Sequence, residues 1–312
     1  MSIKQLGKRL LQMIIVLIGI SFLTFLLTYL APGDPVRTMY AATGIVPSEE
    51  VMNQTREEMG LTRPFLVQYG DWLFSCLRGD FGNSYSLKKP VLTLLGSRLW
   101  PTIKLSLASM ILMLLVSIPF GMLAAVHKNK WIDYLVRSFT YLGVSVPNFW
   151  VGLLLISFFC VKLKWLSVVS ADTTFRNIIL PAVTLAFAMS AKYTRQVRTA
   201  VLEELSQDYV TGARARGIRE WKILWLNVFP NSLLPLITML GLSIGSLLGG
   251  TAVVEVIFSY PGLGGLAVSA ITSYDYPLVQ GYVLWIALIY MGINLVVDIS
   301  YNFVDPRMRE KR

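Results

Sequence analysis

The sequence predicts an all-α integral membrane protein with six transmembrane helices and both termini in the cytoplasm. Three observations carry that prediction. Hydrophobic residues make up 54% of the 312 positions and charged residues only 15%. Charge-free runs recur at membrane-crossing length, which is about 20 mostly apolar residues. Lys and Arg gather in alternate loops, as they do on the cytoplasmic side of membrane proteins.

The runs cover residues 10–33, 105–126, 138–161, 177–191, 223–254 and 276–297. The first follows Lys4, Lys8 and Arg9 but exceeds the 7–15 residues of a signal-peptide core. Its exit, "LTYLAPGDP", lacks a small-x-small cleavage pattern, so it reads as a retained anchor. The fourth run is short, and Lys192 can snorkel from its end. The fifth is too long for one span. Pro230 and Pro235 are expected to break its start, so that the membrane helix begins near Ser232.

Lys4, Lys8 and Arg9, then Lys128, Lys130 and Arg137, then seven Lys/Arg from Lys192 to Lys222, then Arg307, Arg309, Lys311 and Arg312 all fall on one side. That side is predicted to be cytoplasmic. The net charge of +10 is therefore the bias of a membrane protein. A nucleic-acid surface would interleave its basic residues with aromatics on a soluble face, and none does so here. Residues 34–98 fall outside, with seven bases and seven acids. Within them, Ser48 followed by Glu49 and Glu50 marks a helix start. The segment "RPFLVQYGDWLFSCL" has helical apolar spacing. The expected division is an N-terminal helix at 1–33, an extracytoplasmic segment at 34–98, and a core at 99–306 holding five spans and a cytoplasmic loop at 203–231.

Several chemistries are excluded. No phosphate-cradling GxxxxGK[ST] loop occurs. The single histidine, His127, rules out HExxH zinc chemistry, and a Ser–His nucleophile would have only Asp133 nearby to orient it. Cys76 and Cys160 form no CxxC and no disulfide framework. The spans carry no acid or base at their centres, so coupling to an ion gradient lacks a carrier. What remains is a transport protein whose energy comes from elsewhere, set against a secondary carrier and an intramembrane hydrolase as rivals.

The stretch "SQDYVTGARARGIREWKILWLNVFP", residues 206–230, is charged and helix-prone between two apolar runs. Ser206 or Asp208 can cap a helix. Two turns later Gly217 suits a left-handed C-terminus, with Arg214 and Arg216 complementing the dipole. A second helix follows, which Pro230 is expected to stop. By itself this pattern fits an amphipathic hairpin on the lipid surface with Trp221 and Trp225 as anchors.

The same residues resemble the coupling loop of binding-protein-dependent ABC importer permeases, E-A-A-x3-G-x9-I-x-L-P. Thr211, Gly212 and Ala213 align with E-A-A, Gly217 with the glycine and Pro230 with the final proline. Asn227 and Phe229 replace the I and L. "DYVTGARARG" is similar to the D-Y-x3-A-R-A-K-G variant of the nickel and peptide branch. "DFGNS" in the outer segment, "LGVSVPNFW" and "EVIFSYPGLGG" resemble further motifs of that branch, in the right order along nearly the whole chain.

The resemblance implies a type I ABC importer permease fold in a bacterial cytoplasmic membrane. It implies a second homologous permease, two cytoplasmic ATP-binding subunits that carry ATP and Mg, and an extracytoplasmic solute-binding protein. This chain would bind no cofactor, no metal and no nucleic acid, and would not be an enzyme. Asp208, Tyr209, Ala213, Arg214, Arg216, Gly217 and Pro230 would couple to the ATPase. Thr211 stands where the family has glutamate, so that role would pass to Asp208 or Glu204. Gly241, Gly245 and Gly249 lie four apart on one helix face, and suit either close helix packing or the translocation path. Pro261, Gly262 and Gly264 would shape a re-entrant turn at the outer gate, and Glu255 would lie at the mouth, either paired with a nearby base or in contact with cargo. Nickel, as a chelate, is the expected cargo, with dipeptides or oligopeptides as the alternative.

Overall fold

The computed structural model describes residues 3–41, 44, 47–167 and 173–304; the expected Arg307–Arg312 cluster lies outside them. The described residues form helices, with one isolated β-bridge, Asn83 to Pro90, in the connection between two of them. In chain order the helices are α1 (Ile3–Leu30), α2 (Pro35–Ala41), α3 (Glu49–Glu58), α4 (Phe65–Leu77), α5 (Val91–Val126), α6 (Trp131–Ser145) and α7 (Asn148–Leu155). They continue as α8 (Phe175–Leu205), α9 (Asp208–Ala215), α10 (Glu220–Ile223), α11 (Phe229–Gly250), α12 (Ala252–Ile257), α13 (Leu263–Thr272) and α14 (Tyr276–Val304). Wider π-helical turns follow α7 at Ile156–Lys162 and α10 at Leu224–Val228. The chain divides into two compact units, Met1–Thr102 with Pro261–Gly292, and Ile103–Tyr260 with Ile293–Arg312.

In the first unit, α1 leaves Leu10, Leu11, Ile14, Ile15 and Ile18 exposed, an apolar face suited to lipid. Its C-terminal end packs on α4 through Phe22, Phe25 and Tyr29 against Phe65, Tyr69 and Trp72. Ser48 caps α3, its side chain accepting from Val51 N, as its sequence predicts. Asp34 caps α2 through Val36 N and pairs with Arg56 of α3. Burial raises the Asp34 carboxyl, but the Arg56 and backbone hydrogen bonds outweigh it and hold the group below its usual range. The core of this unit joins Cys76, Phe81, Val91 and Leu95 to Leu263, Leu266, Ala270, Leu278 and Leu284.

The Asp-Phe-Gly-x-Ser segment is tied down by a residue 191 positions away. Ser84 Oγ and Ser86 Oγ donate to Asp275 Oδ2 at 2.5 and 2.6 Å, and Tyr85 N and Ser86 N donate to the same carboxylate at 3.0 Å. Asp275 is fully buried. A buried carboxylate with this many donors has its charge matched by hydrogen bonds in place of water.

In the second unit α8 is the central element, packed by α6, α7 and α11. It buries Thr184, Ser190 and Thr194 beside alanines and valines. A helix wrapped by protein needs no lipid-grade surface, which explains why the run at 177–191 is the weakest apolar signal.

Among the described residues three helices are long and apolar enough to cross a membrane, Gly7–Leu30, Val91–Val126 and Tyr276–Val297. Two bent pairs raise the number to five if each is one span. One is Trp131–Ser145 with Asn148–Lys162, bent by 97°. The expected third span is thus broken inside "SVPN". Val146, before Pro147, is held extended at φ −88°, ψ 127°, the conformation proline imposes on its predecessor. The second pair, Glu220–Leu233 with Pro235–Gly245, bends by 44°. The fourth expected span, residues 177–191, lies within α8.

Two local expectations need correction. Pro230 does not stop a helix. It sits in the first turn of α11, where a missing N–H costs nothing, and the chain runs on helically from α10. Pro235 lies inside α11 and marks the bend, so the helix begins at Phe229 and not near Ser232.

Candidate functional site

The expected coupling segment is a compact hairpin. At the end of α8, Ser206 Oγ donates to Glu203 O, so this residue closes the preceding helix. The N-cap of α9 is Gln207, without a side-chain cap, and Asp208 occupies the first turn. Neither Ser206 nor Asp208 is the cap; Asp208 supplies only a favourable charge at the positive helix end.

After two turns α9 ends at Gly217, whose φ is +72°. Gly217 N donates to Arg214 O at 2.9 Å and Ile218 N donates to Ala213 O at 3.2 Å. This pair of bonds is the Schellman arrangement, which reverses the chain and satisfies two orphan carbonyls. A Cβ on Gly217 would meet nothing within 4 Å, so the requirement for glycine is conformational and not steric.

The reversal is clamped. Arg214 Nε and Nη2 donate to Glu220 Oε1 and Oε2 at 2.7 and 3.2 Å, joining α9 to α10. Tyr209 Oη donates to Glu204 Oε2 at 2.7 Å and accepts from Asn231 Nδ2 at 3.5 Å, so one phenol links the ends of α8 and α11 to α9. Burial and the Glu204 carboxylate raise its pKa. Arg216 Nε reaches Gly212 O at 3.3 Å.

The two faces of the hairpin differ. Val210, Ala213, Ile223 and Val228 are buried in one cluster with Met122, Ala125, Val197, Val201 and Leu236, drawn from α5, α8 and α11. Thr211, Gly212 and every residue from Arg214 to Lys222 are exposed, as is Tyr209. Trp221 and Trp225 are about half exposed, at 55% and 49%. The hairpin is fixed from below and presents a strip with more bases than acids.

Beside it, Arg198 of α8 grips the fully buried Asp133 of α6, and Asn129 N donates to the same carboxylate at 3.0 Å. Asp133 is therefore engaged and does not orient His127, whose Nδ1 lies 3.0 Å from Leu123 O of its own helix. A nucleophile–histidine–acid arrangement is not assembled there. Neither the Arg198–Asp133 pair nor the Tyr209 link is legible by spacing, because each joins residues on different helices.

The remaining candidates are dispersed. Gly241 is buried, and a Cβ there would overlap the Val297 side chain of α14. Its smallness thus serves packing within the chain. Gly245 is buried in the same helix; Gly249 lies in α11, but its surroundings are outside the described residues. Glu255 is fully buried in α12, and its carbonyl accepts from Tyr260 N at 2.7 Å. Pro261 and Gly262 lead into α13 in the other unit, with Gly262 as its N-cap and Gly264 buried. Among the described residues no group of three or more His, Cys, Asp or Glu is placed to hold a metal.

Fold and composition together define a multi-pass membrane protein with a compact charged hairpin between its apolar helices. Residues 117–310 match the family described as binding-protein-dependent transport system inner membrane component, and residues 2–108 match the N-terminal region of such membrane components. The chain belongs to this family, the permease subunits of ABC importers, and is a transport component of the inner membrane, not an enzyme.

It is 35% identical to a probable D,D-dipeptide transport system permease protein of Escherichia coli K12, covering 97% of this chain and 96% of that protein. It is 39% identical to a glutathione transport system permease protein of Salmonella typhimurium LT2, covering 97% and 98%. An inward-facing structure of the MetNI methionine ABC transporter superposes with a TM-score of 0.59 at 18% identity, covering 69% of this chain and 97% of that one, a likeness of fold.

Proposed function

We propose that this chain forms part of the path by which an ATP-driven importer carries short peptides across the cytoplasmic membrane. It spans the membrane six times with both termini inside. It works with a second homologous permease, two cytoplasmic ATPases that hold ATP and Mg, and an extracytoplasmic binding protein. The hairpin centred on Gly217 receives the motion of the ATPase.

The observation that carries the coupling role is the two-faced hairpin. Its inner face is locked to α5, α8 and α11 by buried Val210, Ala213, Ile223 and Val228, while its outer face is bare. A force applied to the exposed strip is transmitted to three helices at once, because close-packed interiors are stiff. The Tyr209 link ties α9 to the ends of α8 and α11, while the exposed Arg214–Glu220 pair adds little.

Peptide is a better reading of the cargo than the nickel chelate that the sequence motifs favoured. Relatives that match along 97% of the chain are named for a dipeptide and for glutathione. Asp208 and Arg216 would face the ATPase; Gly241, Gly245, Gly249, Glu255, Pro261 and Gly262 would act by shaping helices along the path, without binding cargo chemically.

The test is ATPase stimulation in the reconstituted complex with its binding protein. Di- and tripeptides are expected to raise turnover and nickel chelates to leave it flat. Stimulation by nickel chelates with none by peptides would overturn the cargo assignment.

A further inference from the structure

The first unit holds an open cavity of about 1000 Å³, walled by the outer end of α1, the segment after it, α4 and the start of α14. The volume is at the upper end of what small-molecule sites offer. Its walls carry three acids, Asp34, Asp71 and Asp80, and three bases, Arg56, Arg63 and Lys88, so both signs are present in equal number. Aromatic surface comes from Tyr29, Trp72 and Tyr85.

That inventory narrows the ligand. Balanced charge disfavours a polyanion. No group of acids or histidines among the described residues is placed for a metal. A purely apolar ligand would make no use of the six charged side chains on the walls. A zwitterion fits, with an ammonium for the acids, a carboxylate for the guanidinium groups, and an apolar body for the rings.

Two of the charges are also easy to recruit. Arg63 and Asp71 pair at 3.1 Å while remaining 60% and 64% exposed. Exposed pairs of this kind contribute little, so ligand ends can replace them at small cost. Gln68 Nε2 donates to Leu61 O and Arg63 O, which fixes the turn that carries Arg63. By contrast Asp34 and Arg56 are mostly covered and hold α2 on α3, so they stay paired as structure.

We infer that this cavity is a binding site of the permease itself for short peptides with free termini, at which the Arg63–Asp71 pair opens, Arg63 taking the carboxylate and Asp71 the ammonium. It rests on the peptide reading for the identity of the zwitterion.

The complete complex without its binding protein, in phosphatidylglycerol nanodiscs, is dialysed against radiolabelled trialanine. Saturable binding is expected, at least ~10-fold weaker for N-acetyl-trialanine amide, which keeps the body and loses both charges. Arg63→Gln with Asp71→Asn is expected to weaken trialanine by at least ~10-fold while the ATPase subunits still comigrate on size exclusion, and Arg63→Lys to recover part of the loss. Equal binding of the blocked peptide, or unchanged binding by the double variant, overturns the site. Loss of trialanine binding in phosphatidylethanolamine nanodiscs would assign the cavity to a lipid headgroup and overturn it as a peptide site. Peptide-stimulated ATPase with binding protein, but no binding in this assay, removes the cavity site alone; absence of stimulation removes the peptide reading instead.

Discussion

Arg198 of α8 meets Asp133 of α6 with both ends of its guanidinium, Nε to Oδ1 and Nη2 to Oδ2, each at 2.7 Å. Asp133 is fully buried and the Arg198 side chain is 18% exposed. The pair fixes the start of α6 against the helix that leads into the Gly217 hairpin. Arg198→Met would leave a buried carboxylate without its cation, at a cost of about 3–5 kcal/mol. The expected result is a large loss of thermal stability of the purified complex, partly restored by Arg198→Lys, which returns the charge but not the fork. Adding Asp133→Leu to Arg198→Met is expected to lose less than the sum of the single changes. Strict additivity would show that the two residues do not interact.

Asp275 holds the outer segment to the start of α14 through Ser84, Tyr85 and Ser86. Asp275→Asn keeps the shape but replaces one accepting oxygen by a donor that would face Ser86. The loss is expected to be about 2 kcal/mol, felt locally. Trypsin cleavage after Lys88 in the purified complex should accelerate, with helix content unchanged. Cleavage at the wild-type rate would contradict the anchoring role.

Cys76 lies in the core of the outer segment, and burial, with Asp80 nearby, pushes its thiol up to about 12. Only the thiolate reacts, so at pH 8 a Cys160→Ser protein should label with maleimide about 10³-fold more slowly than an open thiol. Below the pKa each unit of pH multiplies the thiolate about tenfold, so labelling should rise by that factor from pH 8 to 9. Labelling at the rate of free cysteine would show that the α4 packing is open.

Much of the architecture was legible because it is written in composition. The long charge-free runs became α1, α5 and α14, and Ser48 with its two glutamates began α3 where their chemistry requires. Gly217 was legible for a similar reason: only a residue free to take φ +72° closes α9 in this way. The fate of the prolines was not. Pro147 produced a 97° bend inside an expected span, and Pro230 opened a helix it was expected to close. Proline restricts backbone geometry, but whether it ends, bends or begins a helix is decided by what packs around it. The contacts of Asp133, Glu204 and Asp275 were hidden for another reason: their partners lie 65, 5 and up to 191 positions away, on other elements, and hydrogen-bond pairing across helices leaves no periodicity to read.

We propose that the Gly217 reversal transmits ATPase motion to the membrane helices. Gly217→Pro tests it most directly. Proline cannot take φ near +72°, and it deletes the N–H that bonds Arg214 O, yet no side chain lies within 4 Å to clash with it. Uptake of labelled peptide into proteoliposomes is the measurement, alongside copurification of the ATPase subunits. The account expects the variant to insert in the membrane at normal level, lose the ATPase and lose uptake; normal uptake by that variant would contradict it.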